Sequence, residues 1–161
     1  MYKRQVETII TEYYEDENYF IDRVARFHAE YETIHPFSDG NGRVGRVIIN
    51  QQLLELGVPP IIIPNKGKER HYYPVFRGYP VSGDYSALST LIARQLIESL
   101  NKRITLITAP KVIRLSEWAK VNGVSGSVAA NKAARGTIPA FRQRGMWMID
   151  AHYGNDAEGS V

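Results

Sequence analysis

Apolar residues recur at helical spacing through the first half of the chain. Residues 4–14 place Ile9, Ile10 and Tyr13, and residues 18–33 place Phe20, Ile21, Val24, Phe27, His28 and Tyr31, at intervals of three and four. Two helices separated by the acidic turn EDEN are predicted, packed side by side. His28, Tyr13, Tyr14 and Tyr31 are assigned to the core on this pattern. A third helical period runs from Gly42 through Val44, Val47, Ile48 and Leu54 to Gly57, where glycine and the prolines that follow stop it. VPPIIIPNKGKER then reads as a turn and extended connector, and GDYSALSTLIARQLIESLNKR as a further helix.

The third helix is preceded by the densest chemistry of the chain, HPFSDGNGRVGR at residues 35–46. Gly40 and Gly42 flank Asn41, a spacing that lets successive N–H groups turn toward one point and form an anion-binding nest. That nest lies at a helix N-terminus, where unpaired N–H groups and the macrodipole also favour phosphate. Arg43 and Arg46 are three residues apart and share one helix face. Asp39 is a hard oxygen donor suited to Mg2+ shared with substrate phosphates, and His35 is a proton acceptor near neutral pH. A bare Gly-Asn-Gly turn would equally serve as a polar helix-entry loop with Asp39 as a cap and two solvated arginines.

The full string resembles, position by position, the signature of the Fic (filamentation induced by cyclic AMP) family, H-P-F-x-[D/E]-G-N-G-R-x-x-R. The resemblance implies that His35 is the base that deprotonates a target hydroxyl and that Asp39 binds the Mg2+ bridging the nucleotide phosphates. It matches Gly40, Asn41 and Gly42 to the anion hole, Arg43 and Arg46 to the arginines on the phosphates, and Pro36 and Phe37 to buried loop anchors. The implied reaction moves AMP from ATP to a Ser, Thr or Tyr of a protein, with pyrophosphate leaving. Downstream, Arg70-His71-Tyr72-Tyr73 is similar to the family helix whose Tyr pair lies near the adenosine end. Tyr72 and Tyr73 therefore either contact the nucleotide or pack, Pro74 is expected to shorten that helix, and His71 is left on the surface.

Two family features are not met. The residues before His35 carry no hairpin signal between alternating apolar runs, so the flap that docks target segments is expected to be missing. The inhibitory pattern Ser/Thr-x-x-x-Glu followed by Gly or Asn is approached by Thr8 to Glu12 and by Thr11 to Glu15, but Tyr13 and Asp16 follow instead. No intrinsic inhibitor is expected.

Composition narrows the classes. The 161 residues, 43% of them hydrophobic, suit one ordinary domain or two small ones. No apolar run is long enough for a membrane span and the N-terminus lacks the pattern of a signal peptide, so a cytoplasmic protein without membrane contact is expected. The absence of cysteine excludes disulfides, thiolate zinc sites and thiol nucleophiles, which leaves oxygen donors for any metal. Charge is uneven. Residues 1–34 hold four Lys/Arg against eight Asp/Glu, a balance of −4, whereas 110–149 hold seven against one, a balance of +6.

The basic end has its own pattern. ITLITAPK, residues 104–111, reads as a linker or short strand, and LSEWAKVNGVS gives a Ser116 N-cap, a short helix containing Trp118 and a Gly123 turn. A second helix at 126–135 ends at Gly136, and IPAFRQRGMWMID alternates around Arg144-Gly145 as a β-hairpin. This resembles the small winged helix-turn-helix of excisionase-like and MerR-like proteins, which implies DNA contacts from Lys132, Arg135, Arg142 and Arg144. The alternative is a small domain that docks a protein. The last residues, 151–161, read as a disordered tail.

The expected fold is mainly α: a Fic-type helical core over 1–103, a linker over 104–111, and a small α+β winged helix-turn-helix domain over 112–150. The expected function is protein adenylyltransfer with ATP as substrate, Mg2+ as cofactor and a hydroxyl-bearing protein as partner, with DNA as a second partner through 112–150. Two other readings remain at this stage: a DNA-binding regulator whose Fic remnant is inactive or senses nucleotide, and another phosphotransfer reaction on the same scaffold.

Overall fold

A computed structural model describes residues 2–63 and 67–154. The chain divides into two compact units, Met1–Gln95 and Leu96–Val161. In the first unit α1 (Tyr2–Glu15) packs on α2 (Phe20–Ile34), which packs on α3 (Asn41–Glu55). The core is built from Ile9 and Tyr13, Val24, Ala25, Phe27 and Tyr31, and Ile49 and Leu53, joined by Ile61, Tyr72, Leu88 and Ile92. Tyr13 meets Phe27 edge-on, with ring centroids 5.8 Å apart. Ile9, Tyr13, Val24, Phe27 and Tyr31 are positions that the first two helical periods single out, and His28 lies among them with 1% of its surface exposed, whereas Ile10 is 43% exposed. Tyr14 departs from that pattern, being 66% exposed, with its hydroxyl 3.3 Å from Glu55 Oε2.

The third period fails in phase. Val44, Val47 and Leu54 are exposed, Val47 by 67%, whereas the inward face of α3 is Asn41, Gly45, Ile49, Gln52 and Leu53. Two asparagines explain why a partly polar face turns inward: each offers its carboxamide to an adjoining loop. Asn41 binds both backbone groups of Phe37, and Asn50 binds the N–H and carbonyl of Ile61 at 2.8 and 3.1 Å. A satisfied amide costs little to bury and fixes the loop it holds.

Beyond the connector the expected Tyr-pair helix is broken into α4 (Lys68–His71), a 3-10 turn (Tyr73–Phe76) and α5 (Tyr79–Ser82). Pro74, in the first turn of the 3-10 segment, has no N–H to continue α4. The helix α6 (Ser86–Thr108) follows, and the division between the units falls within it. It extends to Thr108, past the expected boundary at 103, so ITLIT is helical rather than linker or strand. Thr105 is buried while Ile104, Leu106 and Ile107 are exposed, and the run adds residues to an already formed helix, which costs far less than nucleating one. Pro110 prevents further helix.

The second unit contains β1 (Val112–Arg114), α7 (Leu115–Val121), α8 (Gly126–Arg135), β2 (Phe141–Gln143) and β3 (Met146–Asp150). The strands form an antiparallel sheet in the order β1-β3-β2. Its core is Leu115, Trp118, Ala119, Ala129, Ala133, Ile138, Ala140 and Ile149. The strand β1 leads directly into α7, so Arg114, not Ser116, is the N-cap, and its side chain makes no capping bond. Ser125 does cap α8, accepting from Val128 N–H at 3.3 Å. Arg144 and Gly145 have φ of 52° and 79°, the two positive values that a two-residue hairpin turn of type I′ requires. Residues 151–154 form a turn whose Tyr153 packs on this core and accepts a bond from Trp118 Nε1 at 3.0 Å, so the ordered chain runs past the expected start of the tail. Residues 155–161 lie outside the described residues.

Candidate active site

The site is assembled where α2 ends and α3 begins. His35 caps α2 in the left-handed region, φ 50°, with its N–H on Tyr31 O at 3.1 Å. The same turn brings its Nδ1 to 3.3 Å from Glu32 O. A carbonyl can only accept, so this contact places the imidazole proton on Nδ1 and leaves Nε2 as the acceptor. The ring is exposed and free to meet a substrate.

The loop that follows is held from within. Asn41 Nδ2 donates to Phe37 O at 2.6 Å and Asn41 Oδ1 accepts from Phe37 N–H at 2.9 Å. Its side chain is 2% exposed, so of the expected anion-hole contributions from Asn41 only the backbone N–H is free to serve. Phe37 itself is 52% exposed, contrary to the core role expected for it, because the clamp grips its backbone and leaves the ring outside. Gly40 is the N-cap of α3 with φ 87°, a conformation that needs glycine. Asp39 Oδ1 accepts the Gly40 N–H at 2.7 Å, and Oδ2 lies 3.1 Å from Arg43 Nη2. That pair is solvent-exposed and contributes little stability.

Arg46 lies deeper, its guanidinium 5.8 Å from the Tyr72 ring centre. A β-carbon on Gly42 would stand 3.2 Å from Arg46 Nη1. The structure therefore brings His35, Asp39, Gly40, Gly42, Arg43 and Arg46 to one loop and helix end. Tyr72 is only 3% exposed, with its hydroxyl 2.6 Å from His28 Nε2, and so packs, while Tyr73 is 52% exposed. His71 is on the surface.

Three residues beneath the loop escaped the sequence reading as site members. His28 Nδ1 and Glu32 Oε1 are buried without a hydrogen-bond partner among the described residues. Burial, assisted by the Arg46 charge, lowers the His28 pKa to about 3 and keeps its ring neutral. Burial raises the Glu32 carboxyl, opposed by His35 and Arg46. Gly45 admits both: a β-carbon there would lie 2.6 Å from His28 Cε1 and 2.9 Å from Glu32 Oε1. The available signal was an acid four residues after a core histidine and one turn before His35, facing a glycine rather than solvent.

Asp39 is the one carboxylate of the exposed loop. Among the described residues no group of three or more His, Asp or Glu side chains is arranged to hold a metal. A single exposed carboxylate fits Mg2+, which keeps several waters and is completed by substrate phosphates.

In the second unit, Lys132, Arg135 and Arg144 are exposed and make no ion pair among the described residues. Arg142 differs. Its N–H and Nη1 donate to Glu98 at 2.9 and 3.2 Å, and its guanidinium lies 4.2 Å from the Trp147 ring centre. No described helix is long and apolar enough to cross a membrane.

Residues 2–53 match the Fic/DOC family. The chain is 40% identical over 53 residues to the protein adenylyltransferase Fic of Drosophila virilis, and equally to those of Drosophila melanogaster and Drosophila sechellia. Each match covers 33% of this chain and 11% of the relative, so the chain spans about a tenth of the length of these proteins. The similarity takes in α1, α2 and most of α3, and with them the loop that carries the site.

Proposed function

We propose that this chain is a nucleotidyltransferase that moves AMP from ATP to a Ser, Thr or Tyr hydroxyl of a protein. The observation that carries the reading is the pairing, across one clamped loop, of a histidine whose Nε2 is left as acceptor with a helix N-terminus flanked by two arginines. The matched family segment supports it. In this reading the triphosphate lies along the first turn of α3, with the Asn41 and Gly42 N–H groups, Arg43 and Arg46 toward its oxygens. The target oxygen attacks the α-phosphorus, its proton passes to His35 Nε2, and the bond to the bridging oxygen breaks to release pyrophosphate. Asp39 would hold a Mg2+, which when bound neutralises phosphate charge. Tyr73, as the outward member of its pair, is the candidate for the adenosine end.

The test is incubation of the chain and candidate protein targets with ATP labelled at the α- or the γ-phosphate. Label should pass to protein from the α position only, and His35→Ala should lower the rate by about 10²–10⁴-fold while leaving ATP affinity unchanged. Equal losses of rate and affinity would remove the general-base role, and transfer of γ-label would point to another phosphotransfer.

A second reading concerns residues 112–150. The α7–α8 pair and the β2–β3 hairpin present Lys132, Arg135 and Arg144 exposed and without an ion pair among the described residues, which supports a winged helix-turn-helix that holds DNA by its phosphates. On this reading the chain is a regulator, and the nucleotide site is its sensor.

A further inference from the structure

One carboxylate of the site has no task in the transfer reaction. Glu32 precedes His35 by one turn of α2, and its Oε1 is buried without a hydrogen-bond partner among the described residues. An uncompensated carboxylate oxygen is costly to bury, so something nearby must offset it. His28 does not: its Nε2 is 3.9 Å away but is engaged by Tyr72, and the ring is neutral. Tyr72 is a neutral phenol held so by burial. The cations that act on Glu32 are His35 and Arg46. His35 is a cation only when protonated, whereas Arg46 is one at every relevant pH.

The geometry matches that electrostatic link. A β-carbon on Gly42 would lie 3.2 Å from Arg46 Nη1 and 3.7 Å from Glu32 Oε1, so guanidinium and carboxylate converge beside the same glycine. The missing side chain of Gly45 gives the carboxylate its room. Yet no ion pair joins Glu32 to Arg46, and the guanidinium rests instead against Tyr72, a neutral partner weaker than a phosphate oxygen.

We propose that Glu32 is a positioning residue for Arg46, holding the guanidinium by its field at the first turn of α3, toward the outer phosphates of a nucleoside triphosphate. The guanidinium already lies 5.8 Å from the Tyr72 ring centre, and without the carboxylate that ring would draw it away from the phosphates. A field without a direct bond suits the task, because a full Arg–carboxylate pair would compete with phosphate for the same donors. This role rests on the nucleotidyl-transfer reading of the site.

Glu32→Gln keeps the shape and removes the charge, while Glu32→Ala removes both. ATP and AMP affinities are measured by calorimetry on the full chain, for these variants, for Arg46→Ala and for the Glu32→Gln, Arg46→Ala pair. Glu32→Gln should weaken ATP by about tenfold and leave AMP within about twofold, with Glu32→Ala at least as severe. In the Arg46→Ala background Glu32→Gln should cost no further affinity. A purely structural Glu32 would move both nucleotides together or change only the melting temperature, and either result overturns the proposal. Tighter ATP binding in Glu32→Gln overturns it as well, since the carboxylate would then be a competitor of phosphate. A wild type that binds ATP no better than AMP sinks the transfer reading along with the role of Arg46. Discrimination that survives in Glu32→Gln sinks the positioning role alone.

Discussion

In Asn41 the side chain and the backbone have separate tasks, the carboxamide holding the loop and the N–H being the part proposed to face phosphate. Its carboxamide closes a ring of two hydrogen bonds on Phe37, and the loop that orients His35 depends on that closure. Asn41→Ala should cost about 2 kcal/mol in urea unfolding, one typical contribution for each bond lost, and slow transfer besides. Unchanged stability would mean that water replaces the amide. His28 makes a second residue-scale prediction. Its folded pKa is depressed to about 3 from 6.5, so between these values the unfolded state binds the extra proton and stability falls as pH falls. The stabilisation is fully present above 6.5. Glu32, raised from 4.5, acts in the opposite direction, so the measurement is the difference between wild type and His28→Gln, which share it. That difference should shrink by about 1 kcal/mol for each pH unit lowered from 6.5 toward 5. A difference independent of pH would show that the ring takes up protons equally in the folded and unfolded states, and so is not held neutral by burial.

At the scale of elements, α3 is the helix whose pattern misleads. Its apolar residues Val44, Val47 and Leu54 would form a core stripe by periodicity, yet they are exposed, and the inward stripe includes Asn41, Gly45 and Gln52. Gly45 turns inward because α2 approaches there with His28 and Glu32, and only a residue without a β-carbon fits. Val47→Glu should therefore change the stability of the chain by less than about 0.5 kcal/mol, as for other surface positions. A loss of several kcal/mol in thermal or urea unfolding would return Val47 to the core.

For the molecule as a whole, the opposed charges of its ends set up the DNA prediction. Residues 110–149 carry a balance of +6, but Arg142 is engaged by Glu98, which leaves Lys132, Arg135 and Arg144 as the members of the expected set of four without an ion pair among the described residues. Binding of the full chain to unrelated duplexes should weaken with salt along a log–log slope of about −3 rather than −4, given about −0.9 for each phosphate neutralised. Arg142→Ala should leave that slope unchanged, and Lys132→Ala should reduce it by about 1. Absence of binding at low salt would favour a protein-docking role for the unit.

Much was legible in the sequence for local reasons. The motif string brought the site residues together because they are neighbours along one turn and one helix end, where spacing alone fixes proximity. The first two helices, the Gly136 stop and the Arg144-Gly145 turn follow from periodicity and positive φ, whereas the expected cap at Ser116 gave way to Arg114 and the cap observed is Ser125 on α8. Tertiary structure decided what depends on a partner distant in sequence. Tyr72 became a packing residue because His28, 44 positions earlier, takes its hydroxyl. The run 104–108 became helix as the continuation of α6, although Ile104, Leu106 and Ile107 are exposed and its β-branched residues favour strand. Arg142 lost its free charge to Glu98, also 44 positions away. Glu32 lies beneath the loop because α3 packs on α2 with Gly42 and Gly45 facing it, and spacing along α2 alone shows its side of the helix but not those glycines.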